Sequence, residues 1–194
     1  MLAELSNNQN KPGLVVDNSY NEIELVRKAG SGDHGTFKQL FDDNVNRIYA
    51  FCLRMCSNVQ AAEELTQDVF VKAWEKLGSF RGESKFSTWL HRIAINEFLM
   101  QKRTEKRYMQ RVIQTDDIQQ YDSAGDRTDY HFNTNIDIEN AISTLPEQAK
   151  IVFILYDIHG YKHKEIAGLM NIETGTSKAH LHRARKLLRE ELGK

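Results

Sequence analysis

Rings and cations alternate between Phe80 and Arg103. Phe80, Phe86 and Trp89 interleave with Arg81, Lys85, Arg92, Lys102 and Arg103, and Ser84 adds a hydroxyl among them. Single-stranded nucleic acid is held by such sets, the bases stacking on rings while the phosphates meet cations. Taken singly, Phe86 and Trp89 also fit the buried stripe of an amphipathic helix. A second set lies near the C-terminus. Lys178, His182, Arg183 and Lys186 occupy the polar sides of a helical pattern whose apolar side is Leu181, Ala184 and Leu188. Small and basic residues near the start of such a helix can reach base edges and phosphates in a major groove. A solvated face of a helical bundle gives the same pattern.

Enzyme chemistry finds little support. The chain has no Gly-rich phosphate loop, no HExxH and no nucleophile motif. His159 and His163 are four apart, but Gly160 interrupts any helix between them, and His91, His180 and His182 have no partner placed by sequence. Cys52 and Cys56 share one face of a helical pattern and read as small core residues of a reduced cytoplasmic protein. A metal site needs about four ligands, and no other Cys or His lies near them. No catalytic residue, cofactor or metal is expected.

These residues need elements to position them, and the composition points to helices. The chain has 194 residues, 40% of them hydrophobic and 27% charged, enough to build a core. Only 2 prolines and 11 glycines punctuate it, which favours long helices over many short strands. No stretch approaches the roughly 18 apolar residues of a membrane span, and the N-terminus does not read as a secretion signal. A cytoplasmic protein with no membrane insertion is expected.

The net charge of −1 conceals a segregation along the chain. Residues 1–20 are polar and irregular and read as a loose tail. Residues 21–112 are helical in pattern. A first helix runs from Glu22 through Lys28 to a turn at Gly30. A second carries Phe37, Leu40, Phe41, Val45, Ile48, Phe51, Cys52 and Met55 and is interrupted at Asn58. A third carries Ala62, Leu65, Val69, Ala73 and Leu77 and is ended by Gly78. Residues 79–85 read as a loop, and a fourth helix begins at Phe86 and ends in Lys102, Arg103, Lys106, Arg107 and Arg111 against Glu105 alone. Residues 113–135 invert the charge and read as a flexible acidic linker. Residues 136–194 hold a second helical unit. Pro146 suits the first position of a helix that stops near Gly160. Helices over about Lys162–Met170 and Thr174–Leu192 follow, joined at Asn171, where a left-handed residue is wanted. The fold class is therefore all-α: two small helical domains on a flexible acidic linker, the second a helix-turn-helix.

Three strings give this arrangement a family likeness: AAEELTQDVFVKAWEKLGSFRGESKFSTWLHRIAIN (Ala61–Asn96), LPEQAKIVFILYDIHGYKHKEIAGLM (Leu145–Met170) and ETGTSKAHLHRARKLL (Glu173–Leu188). Their order and spacing resemble a bacterial sigma factor of the sigma-70 family, extracytoplasmic-function (ECF) group, over about Glu22–Leu192. The resemblance implies a region 2-like domain that binds core RNA polymerase and the melted −10 element, and a region 4-like domain that binds the −35 duplex. It implies docking of the Ala61–Leu77 helix on the clamp helices of the polymerase β′ subunit through Gln67 and Asp68, with Glu64 alongside, and contact of the second domain with the β flap. The Phe80–Phe86 loop, with Arg81, Ser84 and Lys85, corresponds to the loop that captures a flipped −10 base. Trp89, Arg92 and Asn96 follow on the next helix. Lys178, Ala179, His182 and Arg183 correspond to the −35 positions.

Two departures stand out. Lys162 sits where a Ser or Thr helix cap is usual, and Ser177 replaces a usual Val, which is expected to weaken packing of the recognition helix. The segments that precede region 2 and join regions 2 and 4 in primary sigma factors have no counterpart, so control is expected to fall to an anti-sigma factor. Two other readings compete: a free-standing helix-turn-helix regulator with a helical sensor domain, and a small helical enzyme.

Overall fold

The structure is a computed structural model and describes residues 18–114 and 136–193. Eight α-helices make up its framework, and no strand forms among the described residues. The first is α1 (Asn18–Gly30), which begins inside the stretch expected to be a tail. Then come α2 (His34–Cys56), α3 (Val59–Lys76) and α4 (Phe86–Gln114). Local chemistry fixes their ends. Asp33 caps α2 by accepting the Thr36 N–H at 3.0 Å. Ser57 turns left-handed at φ 54°, and Asn58 then caps α3 by accepting the Ala61 N–H at 2.9 Å. The interruption expected at Asn58 is thus a change of helix. After α3 a tight turn at Leu77–Ser79 leads into the loop.

The second unit contains α5 (Ile136–Ser143), α6 (Glu147–Phe153), α7 (His163–Met170) and α8 (Thr174–Leu192). Pro146 occupies the cap of α6, one position before the first-turn place expected for it. The helix axis continues past Phe153 as a wider turn, Ile154–Ile158, closed by the His159 N–H on the Ile154 carbonyl at 3.0 Å. Asn171 does take the left-handed conformation, at φ 53°. Lys162 caps α7 with no acceptor to offer, and Glu165 instead takes the Lys162 N–H at 2.7 Å. The side-chain cap is lost as expected, and half of a reciprocal cap remains.

The core of α1–α4 is built on Leu40, Ile48, Phe51, Leu65, Val69, Phe86 and Leu90, all essentially without exposure. It does not stop at the end of the first unit. Ile151, Ile154, Leu155, Ile166 and Leu181 belong to the same continuous apolar cluster, while Ala141, Ile142, Leu145, Ala149, Ala184 and Leu188 form a smaller satellite. The two units pack on one another, α7 against α4 and α5 and α6 against α2. Of the residues 113–135 expected to form the flexible linker, Ile113 and Gln114 instead end α4, and residues 115–135 lie outside the described residues, as does the tail up to Asp17.

Candidate nucleic-acid interface

The loop between α3 and α4 stands on a triangle of rings. Phe80 meets Phe86 and Trp89 edge-on, with centroids 5.7 Å and 5.6 Å apart, and Phe86 stacks on Trp89 at 5.5 Å. Phe86 is fully buried. It cannot meet a base in this arrangement, which corrects its place among the −10 contacts: its ring is the floor on which the other two rest. Phe80 and Trp89 are half-buried, and Arg81, Ser84 and Lys85 are exposed. Gly82 turns the loop at φ +72°, and a Cβ there would stand 2.9 Å from Ile23 Cδ1 of α1. Glu22, one residue earlier, accepts the Phe86 N–H at 3.1 Å. A carboxylate thus satisfies an orphan donor at the α4 N-terminus, where negative charge is favoured. Helix α1 therefore packs against the middle of the loop at Gly82 and fixes its far end at Phe86.

Arg92 and Asn96 continue outward along α4 beyond Trp89, and both are exposed. Lower on the same helix Lys102 lies 5.9 Å over the Phe98 ring and 2.8 Å from Glu105. Glu64, Gln67 and Asp68 form an exposed polar edge of α3. Gln60 donates to Glu64 at 3.1 Å, and Gln101 of α4 donates to Asp68 at 3.3 Å. The edge is thus ordered and remains open to a partner.

On the second unit, Lys178, Ala179, His182 and Arg183 all face outward from α8. The first turn of α8 carries no acid. Burial and the neighbouring Arg183 hold His180 below the usual histidine range, so it is neutral near pH 7. Ser177 is fully buried, and its hydroxyl lies 3.0 Å from His163 Nδ1. The polar atom that replaces an aliphatic side chain is therefore partnered, and His163 in turn stacks on Tyr156 at 4.5 Å. Arg185 grips Asp157 with two bonds, at 2.6 and 3.1 Å, and ties α8 to the wide turn. No group of three His, Cys, Asp or Glu residues able to hold a metal occurs among the described residues. Burial pushes the Cys52 thiol up to about 12 and the Cys56 thiol up to about 11, so neither is a thiolate at neutral pH.

The two expected DNA-facing sets thus lie on separate units, and neither touches the other. The residues that join the units were missed by sequence. His91, buried in α4, has its Nδ1 2.8 Å from the Tyr161 hydroxyl, which also donates to Thr88 Oγ1 at 3.3 Å. The rings of Phe51, His91 and His159 meet edge-on at 4.5–5.4 Å. No local spacing signals a pair some 70 positions apart.

The all-helical architecture of the described residues, with a cation-and-ring loop in the first unit and an outward-facing helix-turn-helix in the second, is that of a sigma-70-type protein. The Sigma-70 region 2 family model matches residues 40–108, and the Sigma-70 region 4 model matches residues 136–188. ECF RNA polymerase sigma factor SigW of Bacillus subtilis is 30% identical over 176 residues, 86% of this chain and 94% of that protein. The ECF RNA polymerase sigma-E factor of Haemophilus influenzae is 28% identical over 184 residues, 87% of this chain and 93% of that one. Among solved structures, the sigma factor RpoE in complex with the anti-sigma factor NepR from Bartonella quintana superposes with a TM-score of 0.63 at 29% identity, covering 81% of this chain and 96% of that chain. CnrH in complex with the cytosolic domain of CnrY shares the fold, with a TM-score of 0.60 at 22% identity over 89% of this chain and 97% of that chain. This chain belongs to the ECF group of sigma-70 family factors, proteins that direct transcription initiation. Both units are matched in order, so a free-standing regulator is not favoured. No helix among the described residues is long and apolar enough to cross a membrane.

Proposed function

We propose that α1–α4 bind core RNA polymerase and the melted −10 element while α5–α8 bind the −35 duplex, in the cytoplasm, with an anti-sigma factor as the controlling partner. The exposed α3 edge of Glu64, Gln67 and Asp68 is the surface for the β′ clamp helices, and the second unit meets the β flap. Phe80 and Trp89 present ring surface to an unstacked base, Arg81 and Lys85 neutralise flanking phosphates, and Ser84 with the loop backbone supplies hydrogen bonds. Removing a base from its stack costs a few kcal/mol, and a ring pocket offsets it. Arg92 and Asn96 continue the contact upstream along α4. Lys178, Ala179, His182 and Arg183 enter the −35 major groove, and the acid-free first turn of α8 leaves N–H groups for a phosphate.

The observation that carries this reading is the loop itself, where exposed Arg81 and Lys85 accompany the Phe80, Phe86 and Trp89 rings and Glu22 of α1 accepts the Phe86 N–H. The test is transcription in vitro by purified core polymerase on templates varied at each −10 and −35 position. Exchanging residues 80–86 for the loop of another ECF factor should change the accepted −10 base and leave polymerase affinity intact. Arg183→Ala should weaken −35 recognition by about 1–3 kcal/mol if it reads a base edge. A loop exchange that abolishes polymerase binding and leaves base preference unchanged would overturn the division of labour.

A further inference from the structure

Helix α8 is held to its own unit by two kinds of contact. Leu181, Ala184 and Leu188 bury its apolar side. Burial of that kind keeps a helix against its neighbours, but it has no direction. Directional contacts lie at two other points. Near the start of α8 the fully buried Ser177 hydroxyl shares a hydrogen bond with His163 Nδ1 at 3.0 Å. About two turns further on, Arg185 donates twice to Asp157, at 2.6 and 3.1 Å. A two-bond pair of this type fixes orientation as well as distance.

The two points are linked. His163 stacks on the Tyr156 ring at 4.5 Å, with the planes 27° apart, and the Arg185 guanidinium lies 5.5 Å over that same ring. Tyr156 and Asp157 are neighbours in the wide turn Ile154–Ile158, and both serve Arg185. We propose that Asp157, Arg185, Tyr156, His163 and Ser177 form one relay of side chains that sets the rotation of α8 about its axis, and that they are positioning residues for the −35 contacts. The second half of that statement rests on the functional reading above, whereas the first half stands on the packing of α8 alone.

Spacing carries the argument. Ser177 and Arg185 are eight residues apart, which is about 12 Å along the axis and about 80° around it. A rod held at two off-axis points that differ in height and bearing can neither turn nor slide. Lys178, Ala179, His182 and Arg183 all lie between those points and face outward. Side chains reach about 5–6 Å from a helix axis, so a turn of about 20° would move their tips by about 2 Å. A hydrogen bond to a base edge tolerates about half an ångström. The relay acts from behind the contacts. Ser177 is buried, and the Arg185 fork is engaged by a carboxylate that a phosphate would have to displace. At position 177 the hydroxyl adds direction where an aliphatic side chain would supply only bulk.

The test uses the full chain in complex with core polymerase. Ser177→Ala removes one end of the relay, and Asp157→Asn leaves an acceptor for only one of the two Arg185 bonds at the other. In transcription from templates varied at each −35 position, each variant should reduce the preference for the parent −35 sequence over a scrambled one by about three- to tenfold. Transcription from the scrambled template and affinity for core polymerase should stay at the parent level. Because both ends act through one string, the double variant should lose no more preference than the worse single variant. Losses that multiply would mean two independent supports and overturn the relay. An equal fall on all templates that tracks a lower melting temperature overturns it as well. If Arg185 contacts a phosphate instead, Asp157→Asn frees it and strengthens binding to every sequence, which rules out the positioning role. Nuclear magnetic resonance of the free chain tests the string without DNA. There Asp157→Asn should shift the ring signals of His163 through Arg185 and Tyr156, and unmoved signals overturn the relay. A parent chain that transcribes with core polymerase but ignores the −35 sequence brings down the functional reading and the positioning role with it. The His163 signals then still decide whether the relay exists.

Discussion

Gly82 shows how much of the α3–α4 loop depends on one missing side chain. Its φ of +72° lies where L-residues are strained, and a Cβ would meet Ile23 Cδ1 at 2.9 Å. Gly82→Ala should therefore cost about 1–2 kcal/mol of stability from backbone strain alone, read by thermal denaturation. It should also blunt −10 selectivity without changing polymerase affinity, since Gln67 and Asp68 lie on α3, outside the loop. A stability equal to the parent's would mean that residue 82 does not hold this left-handed backbone. Phe86 makes the complementary point. Sequence places it among rings and cations, and full burial assigns it to the support of Phe80 and Trp89. At Ser177 the expected weakening of the recognition helix is moderated by a partner, His163, that spacing did not suggest.

Among the elements, α4 carries most of the site, and its start is set from a distance. Glu22 of α1 accepts the Phe86 N–H, so α4 is capped by another helix and by no residue of the preceding loop. Glu22→Ala should cost about 0.5–2 kcal/mol, the range of a lost N-cap. Amide exchange should rise first at Phe86–Trp89, and fraying confined to the far end of α4 would refute the assignment. Elsewhere the element ends follow local chemistry. Asp33, Asn58 and Asn171 sit where their side chains or left-handed backbones are required. The wide turn at Ile154–Ile158 is the exception, an added residue that delivers His159 to the rings that join the units.

For the whole molecule, the packing of α5–α8 on α1–α4 is expected to weaken in acid. Burial first, then His159 and Arg47, bring His91 down to about 3, and burial with Arg54 and Arg47 lowers His159. Histidines held below their ordinary value of about 6.5 leave the packing of the two units at full strength above that pH. The packing weakens as pH falls below it, because any state that returns the two histidines to water binds the protons. The scattering radius of the free chain should accordingly grow between pH 7 and pH 5, a window above most carboxylate titrations. His91→Gln with His159→Gln should flatten the trend, and contraction on acidification would contradict it.

Sequence alone determined the helical class, the order of the elements, the turn at Asn171 and the exposed cations of the α3–α4 loop and of α8, because all of these rest on spacing within about one helical turn or on the local demands of a cap. It could not determine that Phe86 is a floor, that Glu22 caps α4, or that two units expected to be independent share one core. Those facts join Phe86 to Glu22 across 64 positions and His91 to Tyr161 across 70. Contacts of that range leave no period in the chain, and only tertiary packing decides which of several buried apolar stripes and neutral histidines will meet.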